Sequence, residues 1–161
     1  MCGIAGFIAG QGAADAGALT PMLARIAHRG PAGQGPFVEG PAALGHCRLA
    51  LVALAGGAQP LYSEDKNLVI VFNGEIFNFM DLRTELQAKG HIFKTHCDTE
   101  VILHGYEEYG TALAAKLRGM FAFVVCDTKT NTLYGARDMF GIKPFYYTQT
   151  SEGELLFGSE I

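Results

Sequence analysis

No stretch of the 161-residue sequence approaches ~20 uninterrupted apolar residues, so no membrane-crossing helix is expected. The opening residues carry no basic flank, and Ile8-Ala9-Gly10-Gln11-Gly12 interrupts the apolar run too early for a signal peptide. Charge is scarce: 17% of residues are charged, the formal net charge is -4 and no basic run occurs, which argues against nucleic acid as a partner. The four cysteines, at 2, 47, 97 and 126, show no CxxC or other close spacing. No metal site is therefore expected, a zinc set drawn from these cysteines with His46 or His96 being the weaker reading. Reduced thiols in the cytoplasm are expected instead. No repeat of fixed period is found. What remains is a chain with 49% hydrophobic residues, enough to bury a sizeable core and sized for one domain.

The first feature that stands out is Cys2, directly behind the initiator methionine. Removal of Met1 would make thiol and α-amine parts of one residue. The amine titrates at roughly 7.7–8.0 and the thiol near about 8.5. The amine can take the thiol proton and later return it to a leaving group, so this residue is a nucleophile with its own base. The competing reading is a first core residue of an edge strand. Gly3 favours close backbone approach to a ligand.

Residues 3–9 read as a buried strand. Thr20-Pro21 reads as a helix start, with threonine as cap and proline at the first helical position, and the helix stops by Gly30-Pro31. The glycines and prolines of segment 28–36 predict a loop. Ala43 to Leu54 reads as a strand exposing His46 and Arg48 on one face in its first half. A polar turn at 63–67 leads into Leu68-Val69-Ile70-Val71-Phe72, which predicts a strand ending at Asn73-Gly74-Glu75. Asn-Gly there is either an ordinary hairpin turn or a pair of donors facing something bound.

Asp81 is expected to cap a helix with Leu82 and Leu86 inward and Gly90 as its stop, followed by a short strand over 91–95. A second helix opens at Asp98, an N-cap whose second oxygen is free for a ligand cation, and ends at Gly110. A third helical stretch covers 111–117, and strands follow at 120–125, 132–136, 144–148 and 154–158. Late strands with helices in the middle predict an α+β fold of antiparallel sheets covered by helices.

The motifs Met1-Cys2-Gly3-Ile4, His28-Arg29-Gly30-Pro31, Gly45-His46-Cys47-Arg48-Leu49, Gly57-Ala58-Gln59-Pro60-Leu61, Val71-Phe72-Asn73-Gly74-Glu75-Ile76, Asp98-Thr99-Glu100-Val101, Gly119-Met120-Phe121-Ala122-Phe123 and Arg137-Asp138 with Gly141 and Lys143-Pro144 resemble the glutaminase domain of glutamine-hydrolysing asparagine synthetases, a branch of the class II glutamine amidotransferases. They occur in family order over nearly the whole chain. The resemblance implies an N-terminal-nucleophile hydrolase fold, a four-layer αββα sandwich of two antiparallel sheets, in one domain over residues 1–161. It implies Cys2 as nucleophile, Asn73 and the Gly74 N–H as oxyanion hole, Arg48 on the glutamine α-carboxylate, Asp98 with Glu75 on the α-ammonium, and backbone at Leu49 and Val52 lining the pocket. Ala32, Cys47 and Phe77 depart from the family pattern: an acidic residue, a larger polar residue and a tyrosine are usual there.

The implied reaction is hydrolysis of the glutamine side-chain amide to glutamate and ammonia. No cofactor is expected in this chain. ATP and Mg²⁺ belong to a synthetase domain or subunit that accepts the ammonia, and no such domain is recognised in these residues. A homodimer stays open as a further partner. Two other readings stay open as well: a non-catalytic module that senses glutamine, and a different amide hydrolase of the same fold.

Overall fold

The computed structural model describes residues 1–49 and 57–161. Its elements are β1 (Gly3–Ile8), α1 (Ala16–Arg25), β2 (Gly33–Glu39), β3 (Ala42–Arg48), β4 (Leu61–Tyr62), β5 (Leu68–Ile76), α2 (Phe79–Ala88), α3 (Asp98–Tyr109), β6 (Gly119–Asp127), β7 (Thr132–Arg137), β8 (Tyr146–Gln149) and β9 (Leu155–Gly158). Short 3₁₀ turns cover Ala27–Arg29 and Gly110–Lys116. Among the described residues the strands form two antiparallel sheets, β2-β3-β1-β9-β8 and β4-β5-β6-β7.

Three apolar cores separate four layers. Leu19, Leu23 and Ile26 pack with Ala5, Phe7, Ala43 and Cys47 on the outer face of the first sheet. Ile4, Leu44, Val69, Val71, Ala122 and Val124 fill the space between the sheets. Ile70, Phe72, Phe121, Phe123 and Val125 meet Leu82, Leu86, Val101 and Ile102 on the far side. Alternate residues of β5 and β6 thus enter different cores, as the two-residue period of a strand requires. Because both faces are covered, these strands read as unbroken apolar runs in the sequence. The order helix, sheet, sheet, helix is the expected αββα sandwich.

Several local expectations give way. The first helix begins four residues before Thr20, with Asp15 as its cap accepting from Gly17 N at 2.8 Å, and Pro21 lies inside it. There the proline removes one helical hydrogen bond, and the packing of Leu19 and Leu23 holds the helix regardless. The second half of segment 28–36 is not loop but β2, an edge strand, where Pro36 deprives no neighbour of a donor. Asn78 rather than Asp81 precedes α2; its amide accepts from Arg118 N at 2.8 Å and donates to Lys116 O at 3.0 Å. Gly90 does end that region, at φ 101°.

Residues 91–95 form no strand, because the buried Glu100 carboxylate takes the N–H groups of Lys94 and Thr95 that a ladder would use. Cys97, not Asp98, is the residue before α3, and Asp98 opens the helix itself. The predicted strand over Ala43 to Leu54 is β3 as far as Arg48, and its remainder from 50 on lies outside the described residues.

Candidate active site

The most consequential correction concerns Asn73-Gly74. There is no hairpin: β5 runs straight through both residues to Ile76 and pairs with β6 along its whole length, Asn73 opposite Ala122 and Gly74 opposite Phe121. A side chain at Gly74 would sit 2.7 Å from Phe121 Cα and closer still to Met120 O, so only glycine fits.

Strand alternation sets which way each site residue faces. On β5, Val69 and Val71 face the inter-sheet core, so Asn73 and Glu75 follow on that side. On β3, Ala42 and Leu44 face the same core, which brings His46 and Arg48 there. Gly3 pairs with Cys47 and Ile4 with His46, so Cys2 stands opposite Arg48 at the mouth of the gap between the sheets. Its sulfur accepts from Leu49 N at 3.4 Å and lies 3.9 Å from Leu49 O. Cys2, Arg48, Leu49, Asn73 and Glu75 therefore share one end of the inter-sheet space.

The backbone edge of β5 is equally informative. The N–H groups of residues 72, 74 and 76 point to the same edge, away from β6. Phe72 N–H donates to Gln59 Oε1 at 2.6 Å and Ile76 N–H to Asp98 Oδ2 at 3.0 Å. The Gly74 N–H between them has no partner among the described residues. Beside it, the Asn73 side-chain nitrogen is buried, also without a hydrogen-bond partner among the described residues. Two adjacent donors without partners among the described residues, one of them buried, are costly for a fold and useful for binding an oxyanion.

Charge is arranged to match. His46 is not on a solvated face as expected: it is buried, and burial, then the nearby Arg48, lowers its pKa to about 4 against an opposing hydrogen bond with Phe72 backbone. It is neutral at pH 7, so Arg48 supplies the cation on this face of β3. Asp98 arrives from the helix layer around the end of β5. Burial raises its pKa, backbone N–H bonds from Ile76, Asp98 and Thr99 oppose that, and the Glu75 charge adds to it. The two carboxylates stand close enough to feel each other's charge, an arrangement suited to a cationic group.

Arg29 and Gln59 went unassigned in the sequence reading. Arg29 Nε donates to Cys2 O at 3.1 Å and its Nη1 to Glu160 Oε1 at 2.8 Å, anchoring the Cys2 backbone. Both lie within quoted motifs, the only signal available for them. Val52, expected in the pocket wall, lies outside the described residues. Cys47 and Cys126 are buried and their thiols are pushed up by burial, the latter to about 12.

The layered fold and this cleft define a glutamine amidotransferase of the N-terminal-nucleophile class. The chain belongs to the glutamine amidotransferase domain family, whose model matches residues 1–161. It is 44% identical over 164 residues to asparagine synthetase [glutamine-hydrolyzing] 1 of Bacillus subtilis, covering 99% of this chain and 26% of that protein. Asparagine synthetase [glutamine-hydrolyzing] 2 of rice is 42% identical over 163 residues, covering 100% of this chain and 27% of the relative. The chain thus spans about a quarter of the length of these relatives. Glutamine phosphoribosylpyrophosphate amidotransferase of B. subtilis shares the fold at TM-score 0.77 and 24% identity, over 98% of this chain and 42% of that one.

Proposed function

We propose that this chain is the glutaminase unit of an asparagine-synthetase-like enzyme, working in the cytoplasm. With Met1 removed, the Cys2 α-amine takes the thiol proton and the sulfur attacks the side-chain carbonyl carbon of L-glutamine. The oxyanion that forms sits between Asn73 Nδ2 and the Gly74 N–H, which needed no reorganisation to receive it. Collapse to the Cys2 thioester expels ammonia carrying the proton returned by the amine. Water then hydrolyses the thioester to glutamate.

Arg48 binds the α-carboxylate, where a guanidinium makes two parallel hydrogen bonds that lysine cannot. Asp98 with Glu75 receives the α-ammonium, and backbone at Leu49 and Val52 lines the pocket. This chemistry uses no cofactor here. ATP and Mg²⁺ serve the synthetase domain or subunit that takes the ammonia. The observation that carries the reading is the pair of donors without partners among the described residues, Asn73 Nδ2 and the Gly74 N–H, at the end of the cleft shared with Cys2.

The test is glutamate release from glutamine by the Met1-processed protein, with the processing verified by N-terminal mass. Cys2→Ala is expected to abolish turnover, a loss of at least ~10³-fold. Turnover surviving in that variant overturns the assignment, and intact glutamine bound without turnover by the processed protein supports the sensing module instead.

A further inference from the structure

Away from the cleft, three carboxylates converge on one histidine in the outer helix layer. His104 of α3 is 2% exposed. Its Nδ1 lies 2.8 Å from Glu107 Oε2, so that nitrogen holds the proton and donates it to the carboxylate. The other nitrogen, Nε2, has no hydrogen-bond partner among the described residues. It nevertheless faces Glu64 Oε1 at 3.9 Å and Glu100 Oε1 at 4.0 Å.

A lone pair aimed at two anions needs something positive between them. A proton on Nε2 gives the ring a charge but no hydrogen bond to either, since 3.9–4.0 Å is beyond hydrogen-bond length. A metal ion can bond both carboxylates and the nitrogen at once. Metal–nitrogen and metal–oxygen bonds of about 2.0–2.2 Å place tetrahedral ligand atoms roughly 3.3–3.6 Å apart. The three ligand atoms lie within 4.8 Å of one another. Drawing them in to tetrahedral spacing takes roughly 0.5 Å from each side chain. The Glu64 side chain, 41% exposed at the β4–β5 turn against 7% for Glu100 and 3% for His104, has the most freedom to move.

The surroundings fit a ligand set. Glu107 on Nδ1 is the carboxylate–histidine pairing that orients metal-bound imidazoles. Glu100 is held in place by Lys94 N on Oε1 at 2.7 Å and by Thr95 N at 2.8 Å and Thr95 Oγ1 at 2.6 Å on Oε2. His91 Nδ1 stands 3.3 Å from Glu107 Oε2, outside the set. Lys94 Nζ, 3.8 Å from Glu64 Oε1, is the cation an incoming metal displaces.

We propose that His104 Nε2, Glu64 and Glu100 bind a divalent transition-metal ion, Zn²⁺ being the natural probe for one imidazole and two carboxylates, with water completing the shell. The ion ties the β4–β5 turn to α3, the helix that begins with Asp98.

Zinc titration by calorimetry, with metal analysis after dialysis, tests this in a Cys2→Ala background, where the nucleophile's thiol cannot hold the ion. One equivalent is expected to bind, and adding Glu64→Gln should weaken it at least tenfold. Cobalt in place of zinc should show no thiolate charge-transfer band, which separates this site from Cys97. Glu64 is at the surface, so its variant reads binding rather than folding. His104→Gln, checked for native circular dichroism, should abolish binding. Failure to bind one equivalent, equal affinity with and without Glu64→Gln, or a thiolate band each overturns the proposal.

Discussion

The two ends of β5 are built from similar polar residues and do opposite things. At the first end, Ser63, Asp65 and Asn67 close on themselves. Ser63 Oγ accepts from Leu68 N at 3.0 Å and donates to Asp65 Oδ1 at 2.8 Å, Asn67 N and side-chain amide both donate to Asp65, and Lys129 Nζ stands 3.4 Å away. These bonds, the Asn67 backbone bond first, hold the Asp65 carboxyl down to about 2. At the second end, Asn73 Nδ2 and the Gly74 N–H have no partner among the described residues. A polar cluster that satisfies itself is a turn; one that keeps donors in reserve is a site. The contrast separates the two roles without reference to any relative.

The sharpest way to break that contrast is Asn73→Ala. It should lower kcat by ~10²–10³ with the KM for glutamine little changed. The unfolding temperature should hold or rise, because a buried unpaired amide is removed. A drop in stability with normal kcat would make Asn73 a structural residue like Ser63.

His46 extends the comparison to pH. Its folded pKa of about 4 lies below the unfolded ~6.5, so between those values the unfolded chain binds more protons and stability falls as pH falls. Between pH 7 and 4.5 this amounts to about 2.5 kcal/mol. Urea unfolding at the two pH values should show that share of the slope disappear in His46→Asn, relative to the parent.

Ser63→Ala should reverse the Asn73 pattern, costing about 1–2 kcal/mol in urea unfolding by leaving Leu68 N–H unpaired, with kcat unchanged. The smallest effect is expected for Lys129→Ala, whose exposed bridge to Asp65 is worth at most ~1 kcal/mol and should fade with added salt.

What could be read from the sequence follows the same division. Cys2, Arg48 and Asp98 stood out because their residue types and motif settings carry chemistry at short range. The apolar run 68–72 gave its strand because packing on both faces writes itself into local composition. The continuation of that strand through Asn73-Gly74 did not, since the dipeptide encodes a turn locally and only pairing with β6, some fifty residues later, overrides it. Likewise Gly33–Glu39 carries loop residues and becomes a strand only because β3 offers it an edge. The open donors of β5 were invisible for the same reason: whether a donor is used depends on partners far along the chain.

Asp98 shows how tightly recognition is welded to architecture here. One carboxylate starts a helix, receives the last N–H of a strand edge and forms the acidic wall of the cleft. Its charge cannot be deleted with an apolar residue without also orphaning Ile76, so ligand preference and foldedness cannot drift independently at this position. Asparagine is the substitution that parts them: it keeps an oxygen for Ile76 and gives up the charge. Under the proposed role, remodelling this cleft toward a ligand without an ammonium group starts from that exchange.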